Sequence, residues 1–184
     1  MPDGETALHL TFDDGPDPEW TPRVLRRLAM HGITATFFVL GARVRRAPGL
    51  LDLIGAAGHE IGLHGDEHLD HRATPPDVVR EDTVAALATL RRHGVEPTAW
   101  RLPWGRQGAA TLPLADEFGL ELVHWDHDTH DWRGDGWDDQ PESFRTDDRR
   151  GGIVLLHDAL GPGATRGGCD NTLELIDRIA VTHG

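Results

Sequence analysis

Two adjacent carboxylates, Asp13 and Asp14, follow an alternating apolar run over residues 7–12 and are followed at once by Gly15 and Pro16. A strand that delivers polar residues at its carboxyl end is how a parallel α/β sheet builds an active site. Neighbouring carboxylates repel each other unless a cation or a proton separates them. The pair therefore predicts a metal ion, an arginine or both nearby. A simple turn is the alternative interpretation, because Asp, Gly and Pro all favour turns.

Four more predicted strands also end in polar residues. The segments at their carboxyl ends are HGDEH at 64–68, RLPWG at 101–105, DHDTHDW at 126–132 and HD at 157–158. Because the carboxyl ends of parallel strands meet at one rim, we expect these segments to converge with the first carboxylate pair. Any single one could be a solvated loop, but five polar ends on five strands favour a functional site.

The residue types in these segments favour a metal-dependent hydrolase. His64 and His68, with Asp14 from another strand, form a set of two histidines and one carboxylate. Such a set binds Zn²⁺ or a similar divalent ion and leaves positions open for water and substrate. Asp13 is then free to act as a base toward the activated water.

A second layer of residues is expected to hold the acid and the base in place. A guanidinium beside a carboxylate favours its charged form, so Arg101 is expected to keep Asp13 ionised and oriented. His157 could protonate a leaving group, and Asp131 could hold its ring and raise its basicity.

These motifs resemble those of the polysaccharide deacetylase family, also called the NodB homology domain or carbohydrate esterase family 4. All five family motifs occur in the family's order between residues 11 and 158. They are TFDDGP at 11–16, His64-x-x-x-His68, Arg101-x-Pro103-Trp104-Gly105, Asp128-x-x-Asp131-Trp132 and Leu155-Leu156-His157-Asp158.

The resemblance implies a role for each matched residue. It implies a base and an acid with their positioning partners (Asp13, His157, Arg101 and Asp131), a metal site (Asp14, His64 and His68) and a substrate and oxyanion group (Pro103, Trp104, Trp132 and Leu155). In that group, the backbone N–H of Trp104 would stabilise the oxyanion. Trp132 and Leu155 would wall the small pocket that receives the acetyl methyl group. Zinc is the expected metal, with Co²⁺ and Ni²⁺ as alternatives.

Strand-like and helix-like segments alternate along the chain and must position these residues. The predicted strands are 7–12, 34–40, 59–63, 98–102, 120–125 and 152–156, and the predicted helices are 21–31, 43–57 with an interruption near Pro48, 75–92, 111–118 and 171–181. This alternation predicts a parallel sheet covered by helices. Six or seven β/α units predict a single α/β domain over residues 1–184, folded as a distorted (β/α) barrel, which the resemblance also implies. An open doubly wound sheet is the alternative.

Composition and charge limit the kinds of molecule that the protein is expected to bind. The chain of 184 residues carries a formal net charge of −13, which argues against nucleic acid and anionic membrane surfaces. No apolar stretch reaches the roughly 18 residues of a membrane span.

The single cysteine, Cys169, allows no internal disulfide. The acidic start predicts a cytoplasmic protein if Met1 is the native start, whereas a secreted protein with its leader removed would look the same.

The substrate expected from these features is an acetylated sugar or a similar small, neutral or cationic amide, with the oligomeric state left open. O-acetyl esters and cyclic ureides are alternatives within the family, and a non-catalytic metal-binding or glycan-binding module is an alternative of another class. Residues 64–68 also match the His-x-x-Glu-His pattern of inverzincin proteases, which requires a helix. Gly65 departs from the family, which has Ser or Thr there.

Two further expectations concern the surface around the site. Six additional polar residues are expected as solvated loop groups, with lining of the substrate site as the alternative: Asp66, Glu67, Asp70, His71, His127 and His130. The polar segment 133–150 is expected to form a surface excursion, with Trp137 and Phe144 as candidate exposed aromatics for a long substrate.

Overall fold

The computed structural model describes residues 8–146 and 151–183. Its strands are β1 (Leu8–Asp13), β2 (Ala35–Val39), β3 (Glu60–Leu63), β4 (Ala99–Trp100), β5 (Glu121–Leu122), β6 (His127–Asp128) and β7 (Gly152–His157). Its α-helices are α1 (Trp20–His31), α2 (Gly41–Arg46), α3 (Gly49–Ala56), α4 (Pro76–Arg92), α5 (Thr111–Phe118), α6 (Glu142–Thr146) and α7 (Asp170–His183). The predicted α/β alternation is confirmed.

All seven strands belong to one parallel sheet with the order β5-β4-β3-β2-β1-β7-β6. The two edge strands, β5 and β6, follow each other in the chain with only a short connection between them. A flat sheet with six strand spacings of about 4.8 Å would separate its edges by about 29 Å. The five Cα–Cα steps from Leu122 to His127 can span at most about 18 Å. The sheet must therefore curl, and it forms the incomplete barrel that the alternation and the resemblance predicted.

Two predicted elements divide in the structure. The helix expected over 43–57 is two helices, because α2 ends at Arg46 and α3 begins at Gly49, on either side of Pro48. The strand expected over 120–125 shortens to β5, and the separate strand β6 pairs with β7 at the other edge. The polar residues 128–131 are therefore positioned by β6 and not by the strand at 120–125.

The centre of the sheet forms the core. β2 is buried along its whole length, and the apolar side chains of β1 and β7 pack with it. Helix α1 packs against α7, and α2 packs against α4. Among the described helices, none is both long and apolar enough to cross a bilayer.

The two aromatic residues of segment 133–150, Trp137 and Phe144, are buried, which contradicts the expectation of exposed aromatics there. Trp137 is 7% exposed and Phe144 is 3% exposed. Their ring centroids lie 6.1 Å apart, and the elements that carry them pack on α7. Because burying these rings removes a large apolar area from water, the described part of the segment, residues 133–146, covers the core, and its two aromatic rings form no platform for a polymer.

Candidate active site

The carboxyl ends of the strands converge on one cavity of about 350 Å³. Its lining includes eight residues expected at the site, namely Asp13, Asp14, His64, His68, Trp104, Trp132, Leu155 and His157. The sheet register explains part of this convergence. Asp13 at the end of β1 is paired directly with His157 at the end of β7, so the expected base and the expected acid face the same opening.

Three side chains in this cavity can hold a metal ion. Asp14 Oδ1 lies 3.5 Å from His64 Nε2 and 3.3 Å from His68 Nε2. One ligand atom from each of the three residues lies within 4.8 Å of the others. Asp14 adopts a left-handed φ of 73°, a strained conformation that residues other than glycine seldom adopt. Strain of this kind persists where the surrounding structure holds a functional residue in place.

The hydrogen bonds of this cluster leave ring nitrogens open to a cation. His64 Nδ1 donates a hydrogen bond of 2.7 Å to the carbonyl of Arg101, which leaves Nε2 as the free ring nitrogen. Burial favours the neutral ring of His64, but the carboxylates of Asp13 and Asp14 outweigh it and raise its pKa, so a cation competes with a proton there. Burial lowers the pKa of His68 to about 4, so its ring is neutral at pH 7. Burial would raise the pKa of Asp14, but the neighbouring histidines hold it well below its usual range.

A buried oxygen in the cluster supports the fit of a metal ion. Within the described chain, Asp14 Oδ1 is buried and accepts no hydrogen bond. A buried carboxylate oxygen with no donor is unfavourable unless a cation satisfies it. Two imidazoles and one carboxylate are the donor set of catalytic zinc sites, with positions left open for other ligands.

Arg101 holds the second carboxylate from behind the cavity. Its Nη1 donates to Asp13 Oδ1 at 3.0 Å and to Thr11 Oγ1 at 2.6 Å, and its Nη2 donates to the carbonyl of His124 at 2.9 Å. The guanidinium is completely buried and lies 4.3 Å from the ring centre of Phe38. Oδ2 of Asp13 points toward the ligand cluster, 3.9 Å from His64 Nε2. One oxygen is thus anchored while the other faces the site.

His157 and Asp131 form a closely coupled pair. Nδ1 of His157 donates to Asp131 Oδ1 at 2.7 Å, and the backbone N–H of His157 donates to Asp131 Oδ2 at 2.9 Å. Burial disfavours the charged ring, but the Asp131 carboxylate outweighs it and raises the pKa of His157 to about 9. Burial favours the neutral form of Asp131, but the charge of His157 lowers its pKa to about 2. The pair therefore carries a proton on the imidazole at neutral pH.

Arg166 completes this pair and was missed by the sequence analysis. Its Nη1 donates to Asp131 Oδ2 at 3.0 Å, and its Nη2 donates to the carbonyl of His157 at 3.0 Å. Thr172 Oγ1 donates to the same Asp131 oxygen at 2.6 Å. Arg166 follows the last motif by eight residues in an irregular loop, so neither periodicity nor motif spacing indicates it.

The substrate residues implied by the resemblance divide between the cavity wall and the layer behind it. Trp104 is 44% exposed and adopts a left-handed φ of 60°, whereas Pro103 is buried and does not line the cavity. The wall also contains residues that the sequence analysis did not assign, namely Leu102, Gly105, Arg106, Trp125, Asp128 and residues 161–164. Gly161 approaches so closely that a Cβ atom there would overlap Asp14 Oδ2.

The six extra polar residues around the motifs do not line this cavity. Solvation was the wrong expectation for two of them, since Asp66 and His71 are buried. Asp66 forms a bidentate ion pair with Arg45, with Nη2 to Oδ2 at 2.8 Å. Glu67 is exposed, as expected for a solvated loop group.

The inverzincin interpretation is wrong. Residues 64–68 form a loop after β3, and Gly65 within it has a left-handed φ of 96°. The two histidines therefore do not lie on one face of a helix, as that protease pattern requires.

Comparisons with known proteins agree with this arrangement. The family model described as polysaccharide deacetylase matches residues 1–123. A chitooligosaccharide deacetylase from Bradyrhizobium sp. (strain ANU 289) is 37% identical over 171 residues, which cover 92% of this chain and 78% of the relative. A peptidoglycan-N-acetylglucosamine deacetylase from Bacillus cereus is 35% identical over 160 residues, which cover 86% and 75% of the two chains.

Solved structures share the fold. A family 4 carbohydrate esterase from Streptomyces lividans, in complex with acetate, superposes with a TM-score of 0.80 at 26% identity, over 98% of this chain and 88% of that chain. A peptidoglycan N-acetylglucosamine deacetylase bound to an N-oxidanyl-benzamide superposes with a TM-score of 0.82 at 30% identity, over 98% and 82%. Because the family model matches two thirds of this chain and relatives are more than 30% identical to it, the chain belongs to the polysaccharide deacetylase family.

Proposed function

We propose that this protein is a metal-dependent deacetylase that hydrolyses the N-acetyl group of short, soluble sugars or similar small amides. The observation that carries the proposal is the meeting, in one cavity, of the ligand set Asp14, His64 and His68 with Asp13 and His157 on either side. Relatives that act on chitooligosaccharide and on peptidoglycan N-acetylglucosamine support the reaction class.

The side chains divide the proton transfers between them. When bound to the ligand set, a divalent ion, for which we propose zinc, would lower the pKa of a water and polarise the acetyl carbonyl. Asp13 Oδ2 accepts the proton of the attacking water, because Arg101 occupies Oδ1. His157 donates from Nε2 to the departing nitrogen, because Asp131 holds Nδ1. The acetyl C–N bond breaks, and the products are acetate and the amine.

The remaining wall residues are proposed to recognise the acetyl group. The backbone N–H of Trp104 would stabilise negative charge on the carbonyl oxygen, as preorganised donors do in acyl transfer. Trp132 and Leu155 border the cavity beside His157 and would enclose the acetyl methyl group. The positioned acid and base also favour an enzyme over a non-catalytic binding module, since binding alone requires neither.

Short substrates are proposed because the aromatic residues of segment 133–146 are not available as a platform for a long chain. Trp137 and Phe144 are buried, and the aromatic residues at the cavity, Trp104, Trp125 and Trp132, lie close around the candidate site itself. The net charge of −13 would repel anionic polymers at low salt.

Acetate release tests the proposal directly. The purified protein, loaded with Zn²⁺, is assayed on N-acetylglucosamine, chitooligosaccharides of increasing length, chitin and peptidoglycan, with Asp13→Asn as the inactive control. We expect monomeric or short N-acetylated sugars to react at least as well as the polymers. A strong rise in kcat/KM through four or more sugar units would reveal an extended groove and contradict the preference for short substrates. Absence of acetate release from every substrate would contradict the deacetylase itself.

A further inference from the structure

The loop between the two histidine ligands is held by a carboxylate from a different part of the chain. The backbone N–H of Asp66 donates to Asp82 Oδ2 at 2.8 Å, and the N–H of Glu67 donates to Asp82 Oδ1 at 2.8 Å. Asp82 lies on α4 and is buried. One side chain thus satisfies two consecutive donors between His64 and His68.

The carbonyl groups of the same loop are held from the opposite side. The N–H of Gly41 donates to the carbonyl of Gly65 at 3.0 Å, and the N–H of Ala42 donates to the carbonyl of Asp66 at 3.1 Å. Both donors belong to the first turn of α2. The loop is therefore clamped between two helices through its backbone, and its path depends on both.

Gly65 shows that the loop and Asp82 fit each other closely. A Cβ atom at Gly65 would lie 2.9 Å from Asp82 Oδ2, and the φ of 96° disfavours any side chain there. The Asp82 carboxylate fills the space beside Gly65 and supplies the acceptors for the loop.

Asp82 also interrupts the apolar face of its helix. It lies between Val79 and Ala86 on the buried side of α4. A buried carboxylate is unfavourable unless donors compensate it, and removing one partner of such a contact leaves buried groups unsatisfied. The hydrogen bonds that Asp82 accepts from two backbone N–H groups therefore explain its position.

We propose that Asp82 is a positioning residue that holds His64 and His68 at the separation needed for joint metal binding. The inference rests on the metal ligands assigned under the proposed function. Asp82 contacts neither the ligand atoms nor the cavity, and it acts through the backbone of the intervening loop. Without it, the loop would sample other conformations, and metal binding would have to restrict them.

The dissociation constant for Zn²⁺ measures this role without any assay of activity. Metal-free wild type, Asp82→Asn and Asp82→Ala are titrated by competition with a chromophoric chelator. Loss of groups that orient metal ligands weakens binding by about 10- to 100-fold, and we expect this for Asp82→Ala. Asn keeps one acceptor oxygen, so Asp82→Asn should lie between Asp82→Ala and wild type. If the alanine variant does not fold, the zinc affinity of the asparagine variant tests the positioning role.

Two controls separate the possible failures. Thr83→Ala removes a buried hydroxyl from the same helix, which donates to the carbonyl of Val79, and should lower the Tm without changing zinc affinity. Asp82 variants that lose stability but bind zinc like wild type would overturn the positioning role. His68→Ala tests the ligands themselves. If it binds zinc as tightly as wild type, the assigned metal site fails, independently of Asp82.

Discussion

Nδ1 of His157 lies 2.7 Å from Oδ1 of Asp131, and the two side chains are 12% and 0% exposed. With Asp131 ionised, the imidazole must donate at Nδ1, and its Nε2 is left toward the substrate. This single contact fixes the orientation of the expected acid and raises the pKa of its ring.

The pH profile should depend on Asp131. His157 acts as an acid only while protonated, so activity should fall as the pH rises through its raised pKa, about 9. Burial lowers the pKa of His157, and the negative charge of Asp131 offsets this effect. Asp131→Asn removes that charge, so the pKa of His157 should fall and the alkaline limb of kcat/KM should move to lower pH. The profile is measured with a short N-acetylated sugar. Asp138→Asn, which changes a carboxylate that is 92% exposed, should leave the limb in place.

Arg166→Gln should move the same limb in the opposite direction. Its positive charge lies beside the pair, and removing it should favour the protonated ring of His157. Breaking a buried ion pair also leaves Asp131 less compensated, so the free energy of unfolding should fall by about 3–5 kcal/mol. Denaturant unfolding and a pH–rate profile measure the two effects. The exposed ion pair between Arg133 and Asp135 offers the control, since Arg133→Gln should change neither the stability nor the alkaline limb. A limb that moves to lower pH would contradict the prediction.

Gly161→Ala should damage the metal site although position 161 carries no side chain. A Cβ atom there would overlap Asp14 Oδ2 and displace the ligand. We expect weaker zinc binding and a loss of kcat of at least about tenfold, by analogy with other changes that disturb ligand orientation. Gly167→Ala is the matched control, because a Cβ atom there meets nothing within 4 Å. Equal zinc affinity in both variants would show that residue 161 is free to move away.

His157→Ala should discriminate between leaving groups. An amine is a poor leaving group and needs a proton, whereas the aryl alcohol of an activated acetate ester departs readily. Loss of a positioned acid typically reduces the rate by about 10²–10⁴-fold, and we expect this loss on an N-acetyl substrate and a much smaller one on the ester. Parallel rate measurements on both substrates decide, and equal losses would mean that His157 orients another group.

The sequence analysis brought most of its candidate residues to one place because they lie at strand ends, and eight of them line one cavity. In a parallel sheet, the end of a strand is a fixed place, so Asp13 and His157 could be expected at one rim without knowledge of the loops. The β1–β7 register then makes them direct neighbours.

Residues outside the strands escaped the same reasoning. Arg166 reaches Asp131 from a loop whose path is set by tertiary contacts, and no periodic pattern marks it. Strands β5 and β6 are each two residues long, too short for an alternation to show. Asp82 did carry a signal, since an acidic residue on an apolar helix face must find donors.

The order of strands has a consequence for biosynthesis. All three proposed metal ligands precede residue 69, but β1, which leads to Asp14, is paired on one side with β7 near the other end of the chain. Until β7 leaves the ribosome, β1 presents an unpaired edge, and exposed edges invite pairing with other chains. A nascent or truncated polypeptide that stops before residue 152 is thus expected to aggregate or to need a chaperone, although it already contains every proposed ligand.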